Sequence, residues 1–286
     1  MLRTRIVTAV VLLALIAAAL ASGSIWPLLV LLSVATGCAL WEWLRLTAPG
    51  RDAAAVAAGI AMGLLTLGCA WLWQSPTADL SARLTVYAIT TRLFVPVVAG
   101  IWLLAGTLAV VRGQVEQAPR SILWSLFAIP ALYCAWAALA LFYMTHGALY
   151  LVSMMAVVWV ADIGAYFAGR AFGRRKLAPR VSPGKSWEGA IAGAVLVAVY
   201  VGACSQWPGT FGHDLAQRWG VPAALAFALL LAALSVMGDL FESLLKRRAG
   251  VKDSGSLLPG HGGVYDRIDA LVPVAPVALL LSGVVT

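Results

Sequence analysis

Nine apolar runs, each close to the length that crosses a bilayer, leave this chain little freedom in how it folds. They occupy residues 6–22, 25–46, 53–73, 93–112, 121–143, 148–168, 187–205, 222–240 and 268–285. A hydrocarbon core of about 30 Å takes about 20 helical residues, and only helices or closed barrels satisfy every backbone polar group in lipid. Of the 286 residues, 62% are hydrophobic and 11% charged, too little polar surface for a soluble domain. The expected fold is all-α, a polytopic integral membrane helical bundle of about nine transmembrane helices. The first run follows Arg3 and Arg5 and ends in AAALAS, as a signal peptide does, but the polytopic remainder favours an uncleaved helix.

The net charge of +8 invites a nucleic-acid reading, which the placement of the cations argues against. With a cytoplasmic N-terminus, 17 of the 20 lysines and arginines fall on the inside and only Arg83, Arg92 and Arg218 outside. That split is the positive-inside signal of membrane topology. It puts the C-terminus outside and two charged loops, 169–186 and 241–267, on the cytoplasmic side.

The organisation divides into N-terminal transmembrane helices, 1–120, and a C-terminal catalytic region, 121–286, that carries both loops. Residues 74–92 fit a loop, an interfacial helix or an extension of the fourth helix. Glu42, in WEWLR, is expected at the cytoplasmic interface near Arg45 rather than in a site. Tryptophans near run ends, among them Trp26, Trp41, Trp43, Trp71, Trp73 and Trp187, read as interfacial anchors. The four cysteines lie apart inside apolar runs with no CxxC, and read as small packing residues.

Chemistry concentrates in Ser243–Asp269, where five basic and three acidic residues, a His and a glycine run fill 27 positions. Asp239, Glu242 and Lys246 follow i, i+3, i+7 spacing on one helix face, although Glu242 to Lys246 is also an ordinary i, i+4 ion pair. Asp266 and Asp269 share a face at the entry to the last helix. Carboxylates held together are costly without a cation between them, so Asp239, Asp266 and Asp269 are candidate metal ligands. Lys246, Arg247 and Arg267 supply cations beside them, and Lys252 and Asp253 flank the glycines. His261 serves either a direct or a structural role. In the preceding loop, Pro183-Gly184-Lys185-Ser186 resembles the tail of a P-loop, but Pro179 stands where that motif needs Gly and no strand is expected before it. What survives is a cationic turn at a helix start, with Ser182, Lys185 and Ser186 suited to phosphate. Arg170, Arg174 and Arg175 fit topology as well as binding. Asp162, inside an apolar run, is a candidate site residue or one half of an interhelical ion pair.

The residues Ser243, Lys246, Arg247, Lys252, Asp253, Leu258, Pro259, Gly260, His261, Gly262, Gly263, Asp266, Arg267 and Asp269 form a pattern that resembles the signature of the phosphatidate cytidylyltransferase (CDP-diacylglycerol synthase) family. The loop with Ser182, Pro183, Lys185, Ser186 and Glu188 is similar to the family's second common stretch. The resemblance implies CTP and phosphatidate as substrates, dependence on Mg2+ and a homodimer in membrane lipid, while the charge placement leaves no nucleic-acid partner expected. The expected location is the bacterial inner membrane, with the site on the cytoplasmic side by the split of basic residues. A related membrane cytidylyltransferase or kinase acting on another lipid stays open, as does an ion-coupled transporter using Asp162 and Asp239. Against the transporter, the polar residues cluster at one face rather than at mid-membrane.

Overall fold

The computed structural model describes residues 2–285; Met1 and Thr286, the termini whose sides the charge count assigns, lie outside the described residues, as do the side chains of Arg3 and Arg5. The elements are α1 (Leu2–Ala21), α2 (Trp26–Thr47), α3 (Asp52–Gln74), α4 (Leu80–Arg112), α5 (Ile122–Phe172), β1 (Lys176–Ala178), β2 (Ser182–Ser186), α6 (Trp187–Cys204), α7 (Phe211–Trp219), α8 (Val221–Arg248), α9 (Tyr265–Ile268) and α10 (Leu271–Leu281). The expected all-α bundle is observed, with one small antiparallel hairpin among the described residues, β1–β2, where no strand was expected.

Among the described residues, six helices are long and apolar enough to cross a membrane: α2, α3, α4, α5, α6 and α8. One of them, the 51-residue α5, is broken at Gly147 (φ 80°, ψ −170°), so its two arms correspond to two of the expected runs. The first and last runs form shorter apolar helices, Val7–Ala21 within α1 and the 11-residue α10. The count of nine crossings is therefore matched only in part. Residues 80–92 resolve as an N-terminal extension of the fourth helix. Asp79 caps it by accepting from the Ala82 amide. Pro96 cannot donate to a carbonyl one turn back, and a widened π turn at Thr90–Phe94 lets the helix run past it.

Both charged loops are shorter than expected, because helix continues into them. α5 runs through Phe172 and the hairpin takes up most of the rest of 169–186. Likewise α8 continues to Arg248, leaving an irregular segment only from Ala249 to Val264. Residues on both sides of position 121 share one apolar core. At its centre Trp43 lies 4.9 Å from Tyr265 and 5.5 Å from Phe241 between ring centroids, and Trp102, Trp124 and Phe127 complete the cluster. Trp43 and Trp73 are thus buried packing residues rather than interfacial anchors, whereas Trp26, Trp71 and Trp187 are exposed. All four cysteines are free.

One close approach positions the chemistry. A side chain at Gly238 would sit 2.6 Å from the Asp269 carbonyl oxygen and meet Pro273 and Ala270. With no Cβ there, α8 lies directly against the start of α10, which brings Asp239 beside Asp269.

Candidate active site

The carboxylates of Asp239, Glu242 and Asp269 offer ligand atoms within 4.8 Å of one another. Asp239 and Glu242 are one turn apart on α8, so helix periodicity alone puts them on one face. Each is also joined to a lysine. Lys185, on β2, places its Nζ 2.6 Å from Asp239, and Lys246 places its Nζ 2.6 Å from Glu242 Oε2 and 2.7 Å from Asp266 Oδ1. Glu242 is buried, yet its Oε1 has no hydrogen-bond partner among the described residues. A buried carboxylate with one unpaired oxygen, set beside two further carboxylates, is a donor set that fits a divalent cation, which prefers hard oxygen ligands.

Asp266 does not join this trio, contrary to expectation; Glu242 stands in its place. The cause is the number of donors around it. Oδ1 of Asp266 takes the Lys246 ammonium, while Oδ2 accepts from the Ser254 amide (2.9 Å), the Ser254 hydroxyl (3.0 Å) and the Gly263 amide (2.7 Å). Burial works against its ionised form, but hydrogen bonds involving Glu242, Lys246 and the Gly263 amide outweigh it. The carboxyl is held well below the usual carboxylate range, so Asp266 is charged at neutral pH. It anchors the glycine-rich loop to α8 through Lys246. Within that loop Gly260 and Gly262 take φ values of 76° and 87°, the left-handed turn that their sequence anticipates.

Behind Asp266 lies a residue that sequence reasoning placed wrongly. Glu42 is fully buried rather than interfacial, and it reaches from α2 to the loop and the start of α9. Its carboxylate accepts from the Ser254 hydroxyl (3.1 Å), the Val264 amide (3.1 Å) and the Tyr265 amide (2.7 Å). Two of those donors are backbone amides at the beginning of a helix, the groups that intrahelical bonding leaves unpaired. Arg45, one turn along α2, pairs with Asp52 at 3.3 Å. The only signal available in the sequence was a lone acid in an apolar run.

The expected site residues fall around two cavities rather than one. A polar cavity of about 540 Å3 is lined by Asp162, Ser182, Lys185, Ser186 and Asp239, with Tyr166 and Arg170 at its side. Ser186 also caps α6 by accepting from the Gly189 amide at 3.2 Å, as its place before a helix suggests. Lys252, Asp253, His261 and Arg267 line a second polar cavity of about 740 Å3 formed by the glycine-rich loop itself. Lys246, Asp266 and the trio connect the two. Two of the expected site arginines are engaged with backbone: Arg247 donates from Nε to the Val181 carbonyl at 3.3 Å, and Arg267 donates twice to the His261 carbonyl. Glu188, at the start of α6, accepts from the amides of Arg174 and Arg175 and so fixes the turn before β1.

With this geometry in view, likeness to known proteins decides the family. Residues 3–285 match the pattern of the Cytidylyltransferase family. The chain belongs to that family. A phosphatidate cytidylyltransferase of Pseudomonas aeruginosa is 39% identical over 288 residues, covering 97% of this chain and 95% of its own. Shorter matches reach higher identity. A Haemophilus influenzae protein of the same name is 47% identical over 131 residues, 44% of its length, and one from Brucella suis is 50% identical over 141 residues, 47% of its length. The carboxylate trio and its two lysines thus sit in a chain whose family transfers cytidylyl groups, a chemistry that handles triphosphates.

Proposed function

We propose that this chain transfers the cytidylyl group of CTP to phosphatidate, releasing pyrophosphate and forming CDP-diacylglycerol. The observation that carries the proposal is the convergence of Asp239, Glu242, Asp269 and Lys185 beside a polar cavity between membrane-crossing helices. An anionic lipid phosphate and a soluble nucleotide meet only at such a boundary. A phosphate oxygen of phosphatidate forms a bond to the α-phosphorus of CTP in line with the bond to pyrophosphate, which breaks. The nucleophile is already an anion, so the residues position and neutralise rather than deprotonate. Asp239, Glu242 and Asp269 would hold magnesium, and Mg2+ when bound supplies charge neutralisation to the triphosphate. Lys185 and Ser182 contribute a cation and a hydroxyl to the cavity wall, and Asp162 lies opposite on α5. The glycine-rich loop, with Lys252 and His261, would enclose the part of the nucleotide farther from the lipid.

Purified protein given radiolabelled CTP, magnesium and phosphatidate is expected to transfer label into the lipid fraction, and label that stays in the aqueous phase refutes the proposal. In the same assay Lys185→Ala is expected to raise the KM for CTP by roughly ten- to a hundred-fold, the loss of one charge-assisted contact. An unchanged CTP dependence would remove Lys185 from the nucleotide's surroundings.

The reading places nine crossings in a bacterial inner membrane, with the N-terminus and the site on the cytoplasmic side and two copies forming a dimer. The 17-to-3 split of basic residues supports that orientation. Single cysteines replacing Arg175 or Ala249 are expected to resist an impermeant thiol reagent applied outside intact cells, and one replacing Thr286 to react. Labelling of either loop position from outside would reverse the map.

A further inference from the structure

A second opening adjoins the polar cavity and is lined mainly by apolar side chains. About 580 Å3 in volume, it lies between the last turns of α4 (Val110, Val111), α6 (Ile191, Ala194) and α8 (Ala233, Met237), and the β1–β2 hairpin covers one end. Three residues, Leu177, Ala190 and Val236, belong to its wall and to the wall of the polar cavity at once. The two spaces are therefore neighbours across a partition one side chain thick. Among its lining residues, cations stand only at the hairpin end, where Arg112 lies and Arg180 pairs with Glu116.

We infer that this groove receives one acyl chain of the lipid acceptor and sets which chain lengths the enzyme takes. The inference rests on the function proposed above. A lipid whose phosphate reacts in the polar cavity must lead its hydrocarbon away from Asp239 and Lys185 without leaving it in water or against charge. The apolar groove is the adjoining space that allows this. Its cationic end is also the end where an anionic head group must turn out of the membrane plane. A further apolar groove, between α2 and α3, shares no residue with the polar cavity and offers no such path. In the assigned groove Ala194 and Ala233 leave space on facing helices, and Val236 forms the threshold.

Replacing Ala233 or Ala194 by Trp fills the groove without altering any residue that lines the polar cavity. Each variant is to be assayed in detergent micelles with dioleoyl and dihexanoyl phosphatidate. The kcat/KM for the dioleoyl substrate is expected to fall at least about tenfold, equivalent to roughly two methylenes left unburied. The dihexanoyl substrate and the KM for CTP are expected to change less than about twofold. That retained short-chain turnover also shows that the variant is folded. If both substrates decline together, or neither does, the groove does not hold the chain. Should Ala233→Cys form a disulfide-linked dimer in the membrane, the groove is an interface with a second copy and the inference falls. A parent protein that turns over neither substrate would instead refute the proposed function itself.

Discussion

Asp239→Asn and Asp269→Asn are each expected to lose at least about ten- to a hundred-fold in kcat while remaining inserted and folded. Asn keeps the size of the side chain and one acceptor oxygen, but removes a charge from a trio whose ligand atoms lie within 4.8 Å. Loss of a single charge-assisted contact accounts for about 1.5–3 kcal/mol, and a cation shared with substrate phosphates adds to that. Raising magnesium should recover part of the lost rate. A second readout separates metal binding from structure. Without divalent ions the parent holds like charges together, so Asp269→Asn should unfold in chelator at a temperature no lower than the parent does. Added magnesium should then raise the unfolding temperature of the parent more than that of the variant, since only a ligand that binds the native state shifts it. Near-parent rates for both variants in limiting magnesium would sink the assignment.

Glu42→Ala is expected to be the most damaging substitution outside the cavities. It leaves the Val264 and Tyr265 amides and the Ser254 hydroxyl without the carboxylate that now accepts from them. Orphaning buried donors costs about 1–3 kcal/mol for each group that finds no substitute, so a stability loss of roughly 2–4 kcal/mol is expected. Space is tight there as well, since a side chain at Gly263 would collide with the Glu42 carboxylate. The loop between Ala249 and Val264 should then become sensitive to protease, and turnover should fall with it. Glu42→Gln retains one acceptor oxygen and should recover much of the protection. If Glu42→Ala melts with the parent and its loop stays protected, the carboxylate does not hold the loop.

Much of the site was legible because its parts are local. The one-turn spacing of Asp239 and Glu242, the glycines that turn the loop and the serine that caps α6 all act within a few residues of themselves. The choice between Asp266 and Glu242 was not local. It depends on which carboxylate collects donors, and those donors, the Ser254 and Gly263 amides and the Lys246 ammonium, are brought together only by the folded loop. The sequence likewise showed two charged loops but not how they meet: folding gives each its own cavity, with the Lys246–Asp266 ion pair between them.

By itself the sequence determined that this is a helical membrane protein, where most of its helices run and where its charged chemistry is concentrated. Those properties follow from hydropathy over windows of about 20 residues, from helix periodicity and from a long motif, all of which are written along the chain. Only the tertiary structure decided that Glu42 supports the loop, that Glu242 completes the carboxylate trio and that an apolar groove adjoins the polar cavity. Each depends on which faces of distant helices meet. Glu42 and Tyr265 are 223 positions apart, and nothing periodic in either segment records that they touch.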